Sequence, residues 1–97
     1  MSKQFPTPYG NVTLRFAEYG NGMTAIRLID AEDGSPMAML TVNLPNQTEA
    51  LGEGEFYVKT WSENAEIAHA ALQSGLFIDT GKRASAGYAT ASIWKLA

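Results

Sequence analysis

The sequence predicts an α+β fold: an antiparallel sheet of about five strands in a meander, packed on one face by a single α-helix, in the order β-β-β-β-α-β. Three observations carry that expectation. Residues 37–45, Met-Ala-Met-Leu-Thr-Val-Asn-Leu-Pro, alternate with the period of two that a strand imposes on its side chains. Two turn clusters, Gly20-Asn21-Gly22 and Asp33-Gly34, sit where hairpins need residues tolerant of positive φ. Residues 61–74 then carry an apolar stripe at helical spacing, and Gly75 follows as a stop.

Taken in order, residues 1–10 begin polar and contain Pro6 and Pro8, which predicts a loose arm on a single domain spanning residues 1–97. Residues 12–19 read as the first strand, with Val12, Leu14 and Phe16 on one face and Thr13, Arg15 and Ala17 on the other. Residues 23–30 return as the second, with Ile26 and Leu28 inward and Arg27 outward. Asp33-Gly34 turns the chain into the central strand at residues 37–45, bounded by Pro36 and Pro45. A long loop over residues 45–54 precedes a short strand at 55–59, with Phe56 and Val58 inward and Tyr57 and Lys59 outward.

The helix over residues 61–74 covers the apolar face of this sheet. Thr60 and Glu63 have capping-box spacing, with Ser62 as a rival cap, and Glu63 and Glu66 suit the positive end of the helix dipole. Trp61, Ala65, Ala68 and Leu72 form the buried stripe, flanked by Ile67 and Ala71. Residues 76–78 re-enter the core and 79–85 form a polar loop. Residues 87–96 are the last strand, with Ala89, Ala91 and Ile93 facing opposite to Tyr88, Thr90, Ser92 and Trp94.

Composition narrows the class. The chain has no cysteine, which removes disulfides and thiolate metal sites. No apolar run approaches the ~18 residues of a membrane span, and the N-terminus does not resemble a signal peptide, so a cytoplasmic location is expected. A formal charge of −3 argues against general nucleic-acid binding. Glu49, Glu53, Glu55, Glu63 and Glu66 nevertheless cluster against Lys59 alone. The plainer account of that cluster is a solvated surface.

Asp33-Gly34-x-Pro36, Leu40-Thr41-Val42-Asn43-Leu44-Pro45 and the downstream Gly54-Glu55-Phe56 resemble an uncharacterised family of short proteins of bacterial genomes, phages and other mobile elements. The resemblance covers roughly residues 28–58; Val58-Lys59-Thr60-Trp61 departs from the family's pattern. The family brings no activity. It implies context: a mobile-element accessory protein, for which inhibition of a host defence system, in the manner of an anti-CRISPR, is one common task.

Candidate chemistry is sparse. Asp79-Thr80-Gly81 matches the aspartic-protease triplet, but Lys82 and Arg83 follow it and its position is late; a polar turn is the better account. Gly81-Lys82-Arg83 offers two cations beside a glycine, an anion-binding loop in a small-ligand or nucleotide module, yet it lacks the phosphate-loop pattern. His69 is the only histidine; with Glu66 as its one nearby carboxylate it does not make a metal site, and the serines have no other base. No catalytic residue, cofactor or metal is therefore expected. The sheet face turned from the helix is more suggestive, since it aligns Arg15, Arg27, Met39, Thr41, Asn43, Tyr57 and Lys59, and arginine, methionine and tyrosine are enriched in interfaces. That face, or the rim of Glu49, Glu53, Glu63 and Glu66, is expected to dock a protein partner, with Tyr57, Tyr88 and Trp94 as an alternative homodimer surface.

Overall fold

A computed structural model describes residues 3–20, 22–44, 51–62 and 64–97. Among these residues the fold is α+β, with strands β1 (Gln4–Thr7), β2 (Gly10–Glu18), β3 (Thr24–Asp30), β4 (Pro36–Met39) and β5 (Glu55–Val58), helix α1 (Asn64–Gln73), and strands β6 (Phe77–Ala86) and β7 (Ala89–Leu96). The expected single sheet of five strands is corrected to two antiparallel sheets, ordered β1-β2-β3-β4 and β5-β7-β6. No helix of the described residues is long and apolar enough to cross a membrane.

The sheets divide at residues 40–42. Leu40 N–H donates to Ile26 O at 3.0 Å, so Leu40 is still a rung against β3. Its carbonyl accepts Lys59 N–H at 2.9 Å, and Val42 N–H donates to Tyr57 O at 3.1 Å. One segment thus ends the first sheet and begins the second. Thr41, bridged to Val58, supplies what the departing backbone no longer can: its Oγ1 accepts Ile26 N–H and hydrogen-bonds the Tyr19 hydroxyl, both at 3.0 Å. The strand expected at residues 37–45 therefore splits into an edge strand, β4, and this crossing. Leu40 enters the main core, whereas Val42 and Leu44 pack around a second cluster; Pro45 lies outside the described residues.

The N-terminal arm is ordered. Gln4–Thr7 pairs with β2, and buried Phe5 meets Phe77 edge-on, with ring centroids 6.5 Å apart. A proline-containing strand is compatible with this place because β1 is an edge. Helix α1 packs against both β1 and β6, the outermost strands of the two sheets. Both sheets and the helix thus share one core, with Ile26, Leu28, Phe56, Trp94 and Phe77 against Ile67, Ala68 and Ala71. The helix begins at Asn64 rather than at residue 61, after Ser62 adopts φ 55, and Ala65 faces solvent. Gly75 ends it at φ 78. The capping box cannot be placed, since Glu63 lies outside the described residues.

Both expected hairpins form. Tyr19 N–H donates to Met23 O at 2.8 Å to close the first, and Gly34, at φ 76, donates to Asp30 O at 2.9 Å in the second. The first hairpin runs past the core, leaving Phe16 49% exposed although Val12 on the same face is fully buried. The second sheet departs most from a one-sided pattern. Its face bearing Phe56, Val58 and Trp94 joins the main core, while Tyr57, Ala84, Ala91 and Ile93 form a second cluster on the reverse. Tyr57 and Trp94, both expected outward, are each 1% exposed, and Ser92 is also buried. Residues 79–85 are not a loop: they belong to β6, with a register shift between Asp79 and Arg83 where Gly81 takes φ 86.

Candidate functional site

The side chains expected on the outer face of the first sheet do meet in part. Arg15 lies directly opposite Arg27 across β2 and β3, and Arg27 opposite Met39 across β3 and β4. Both arginines are exposed. Among the described residues neither has a carboxylate within 4.0 Å, whereas Lys82 and Arg83 do. Like charges directly opposite on neighbouring strands repel, so this pair is unfavourable unless an anion approaches. Beside Arg27, a shallow depression of about 400 Å³ runs along Pro36, Met37 and Met39.

A larger groove, about 730 Å³, opens on the other side of β4. Its walls are β4, the start of α1, and Tyr9 from the turn between β1 and β2. Asn64 builds this wall. Its buried amide donates from Nδ2 to Met39 O at 2.8 Å and to Lys59 O at 3.1 Å, which ties the end of β4 and the exit of β5 to the first turn of the helix. Met37, Met39 and Ile67 supply apolar lining, with Lys59 at the Met39 end and Asp30 and Ser35 at the other. Tyr9 reaches across to α1, its hydroxyl 3.4 Å from Glu66 Oε2. Asn64 and Tyr9 were not anticipated. Asn64 is itself a cap-type residue two positions beyond Ser62, and Tyr9 follows the prolines of the expected arm.

The remaining expected site residues fall elsewhere. Tyr57 is buried in the second cluster, and with Trp94 also buried, the proposed aromatic dimer surface reduces to Tyr88. Thr41 is buried at the sheet crossing. Glu53 and Glu66 are exposed, while Glu49 and Glu63 lie outside the described residues. Glu55 is held below the ordinary glutamate range by its bond to the Lys82 ammonium and by Gly52 N–H. His69 is exposed on α1, and among the described residues no three His, Asp or Glu side chains gather around a common point.

The Asp79-Thr80-Gly81 triplet sits on the edge of the second sheet. Partial burial pushes the Asp79 carboxyl upward, but Gly81 N–H at 2.9 Å and the two-pronged Arg83 guanidinium outweigh it and hold it low. A carboxylate so held is the reverse of one sharing a proton. Lys82 and Arg83 are each engaged by a carboxylate, so an incoming anion has to displace Glu55 or Asp79 to use them. No family model, curated protein or solved structure matches the chain.

Proposed function

We propose that this chain is a non-enzymatic binding protein that works by occluding a protein partner, and that its docking surface is centred on β4 and the adjoining Arg15–Arg27 pair. The observation that carries this reading is the pair itself: opposed, exposed cations beside a methionine-lined depression, on a chain that is acidic overall. An acidic partner surface would relieve their repulsion and gain two charge-assisted contacts. The resemblance to mobile-element proteins makes a host defence complex the sharper form of the proposal. A small-ligand or nucleotide module built on Lys82 and Arg83 is the weaker alternative, because both cations are already engaged.

The test is affinity capture from a bacterial host lysate with mass spectrometry, comparing the native chain with an Arg15→Glu/Arg27→Glu variant. Stoichiometric capture of a defence complex that the variant loses is the expected result. Capture unchanged in the variant removes the arginine face from consideration, and co-purification of small molecules alone favours the alternative.

A further inference from the structure

The groove between β4 and α1 points to the form of the partner. We infer that it takes an extended peptide segment, added beside β4 as a further strand, with an acidic residue at the Met39 end. The inference rests on the reading of the chain as a binding protein. Three observations carry it.

The first is the backbone of β4. The Leu40-to-Ile26 hydrogen bond makes Arg27 and Met39 the neighbouring non-hydrogen-bonded pair, so the backbone groups of Met39 point away from β3. The carbonyl confirms this by accepting Asn64 Nδ2. The N–H on the same residue points the same way, towards the groove, and among the described residues it has no hydrogen-bond partner. Strand addition of this kind takes affinity from main-chain bonds and specificity from alternate side chains.

The second is the shape. At about 730 Å³ the space is within the range of ligand-binding clefts, and it lies along the strand between Asp30 and Lys59. Its apolar walls, Met37, Met39 and Ile67, suit every second side chain of an extended segment.

The third is charge. Lys59 borders the groove and, among the described residues, has no carboxylate within 4.0 Å. Asp30 borders the opposite end. The groove is therefore polarised along β4, and a segment with a carboxylate near Lys59 is complemented while the reverse orientation is not.

The test uses the full chain and three probes: a fluorescent mixture of short peptides alternating glutamate with varied apolar residues, the matched lysine mixture, and the glutamate mixture methylated at alternate backbone nitrogens. Saturable binding of the first is expected, with about a tenfold loss on backbone methylation, the equivalent of one good hydrogen bond. Lys59→Glu should weaken the glutamate peptides by a similar factor and admit the lysine ones. Met39→Pro removes the outward N–H, which would meet a peptide carbonyl, and should weaken binding by a similar factor; the methylated peptides remove the opposite set of bonds, from peptide N–H groups to β4 carbonyls, and so test strand addition on the native chain even if that variant does not fold. Equal binding of acidic and basic peptides, indifference to methylation, or no saturable binding overturns the inference. So does sodium acetate alone reproducing the peptide-induced shift of the Met39 amide resonance, which would mark a small-anion site. If peptides fail while the arginine variant still loses its captured partner, the groove inference falls and the binding function stands.

Discussion

The edges presented by β4 and β6 are built in opposite ways. Strand β6 is a ten-residue edge that defends itself. It is broken by a register shift at Gly81, carries Lys82 and Arg83, and neutralises both with carboxylates from its own sheet, Glu55 and Asp79. Strand β4 is a four-residue edge with no charged side chain, bordered by a groove on one side and a depression on the other. Its nearest cations, Arg27 and Lys59, have no carboxylate within 4.0 Å among the described residues. Edges in natural proteins are blunted by bulges, prolines and charge. Strand β6 has the bulge and a satisfied set of charges, while β4 has Pro36 and a register shift but no charge of its own, and the cations beside it have no carboxylate within 4.0 Å among the described residues. On the reading proposed above, one edge is finished within the chain and the other is left for a partner to complete.

The largest expected effect tests how firmly β4 is anchored. Leu40 is fully buried where the sheets meet, so Leu40→Ala should cost about 3 kcal/mol and lower the Tm by roughly 15 °C in a circular-dichroism melt. Ile78→Ala on β6, at a side chain 44% exposed, should change stability by less than about 0.5 kcal/mol. Equal losses at the two sites would erase the distinction.

Next comes Thr41→Val, which keeps the shape but leaves Ile26 N–H buried without its acceptor. A loss of about 2 kcal/mol in chemical denaturation is expected, with the slope unchanged. A neutral result would mean that the backbone closes the rung without the hydroxyl.

Acid should weaken the β6 side. The Glu55 and Asp79 carboxyls are both held below their ordinary values of 4.5 and 3.8. Their contribution is complete above those values and is lost as pH falls through the depressed folded-state values. Melting temperature should therefore decline below about pH 4.5, and the decline should be shallower in a Glu55→Gln/Asp79→Asn variant. A variant as acid-sensitive as the native chain would place the responsible carboxylates elsewhere.

The smallest effect is kinetic. At neutral pH the amides of β4 should exchange with solvent faster than those of β7, which is paired on both sides, as followed by hydrogen exchange and mass spectrometry. Addition of a bound peptide should slow β4 and leave β6 unchanged. Slowing of β6 instead would move the docking edge.

Much of the local structure was legible because single residues specify it. Gly34 and Gly75 mark a turn and a helix end by the positive φ they adopt, and helical spacing of apolar residues identifies the helix, although its buried side is centred on the expected flank Ile67 and Ala71 with Ala68, while Ala65 of the expected stripe faces solvent. Gln4–Thr7 was misread because two prolines in residues 1–10 suggest an arm, and only its pairing with β2 and the Phe5–Phe77 contact show otherwise. The outward placement expected for Tyr57 and Trp94 fails because alternation alone implies one wet face. The second sheet is covered on both, so period two separates two clusters there rather than inside from outside. Within the candidate site, the alignment of Arg15, Arg27 and Met39 followed from alternation alone. The groove did not, since Asn64, Tyr9 and β4 come from three separate parts of the chain.

By itself the sequence determined the α+β class, the two leading hairpins and the existence and end of the helix, because those depend on backbone preferences and periodicities within a few neighbouring residues. Only the tertiary structure decided that the chain at residues 40–42 leaves one sheet for another, which side chains of β5 and β7 meet which cluster, and that the edge of β4 opens onto a polarised groove. Strand partners are chosen by hydrogen bonds and burial against segments distant in sequence, and a repeating pattern within one strand carries no information about which neighbour will satisfy it.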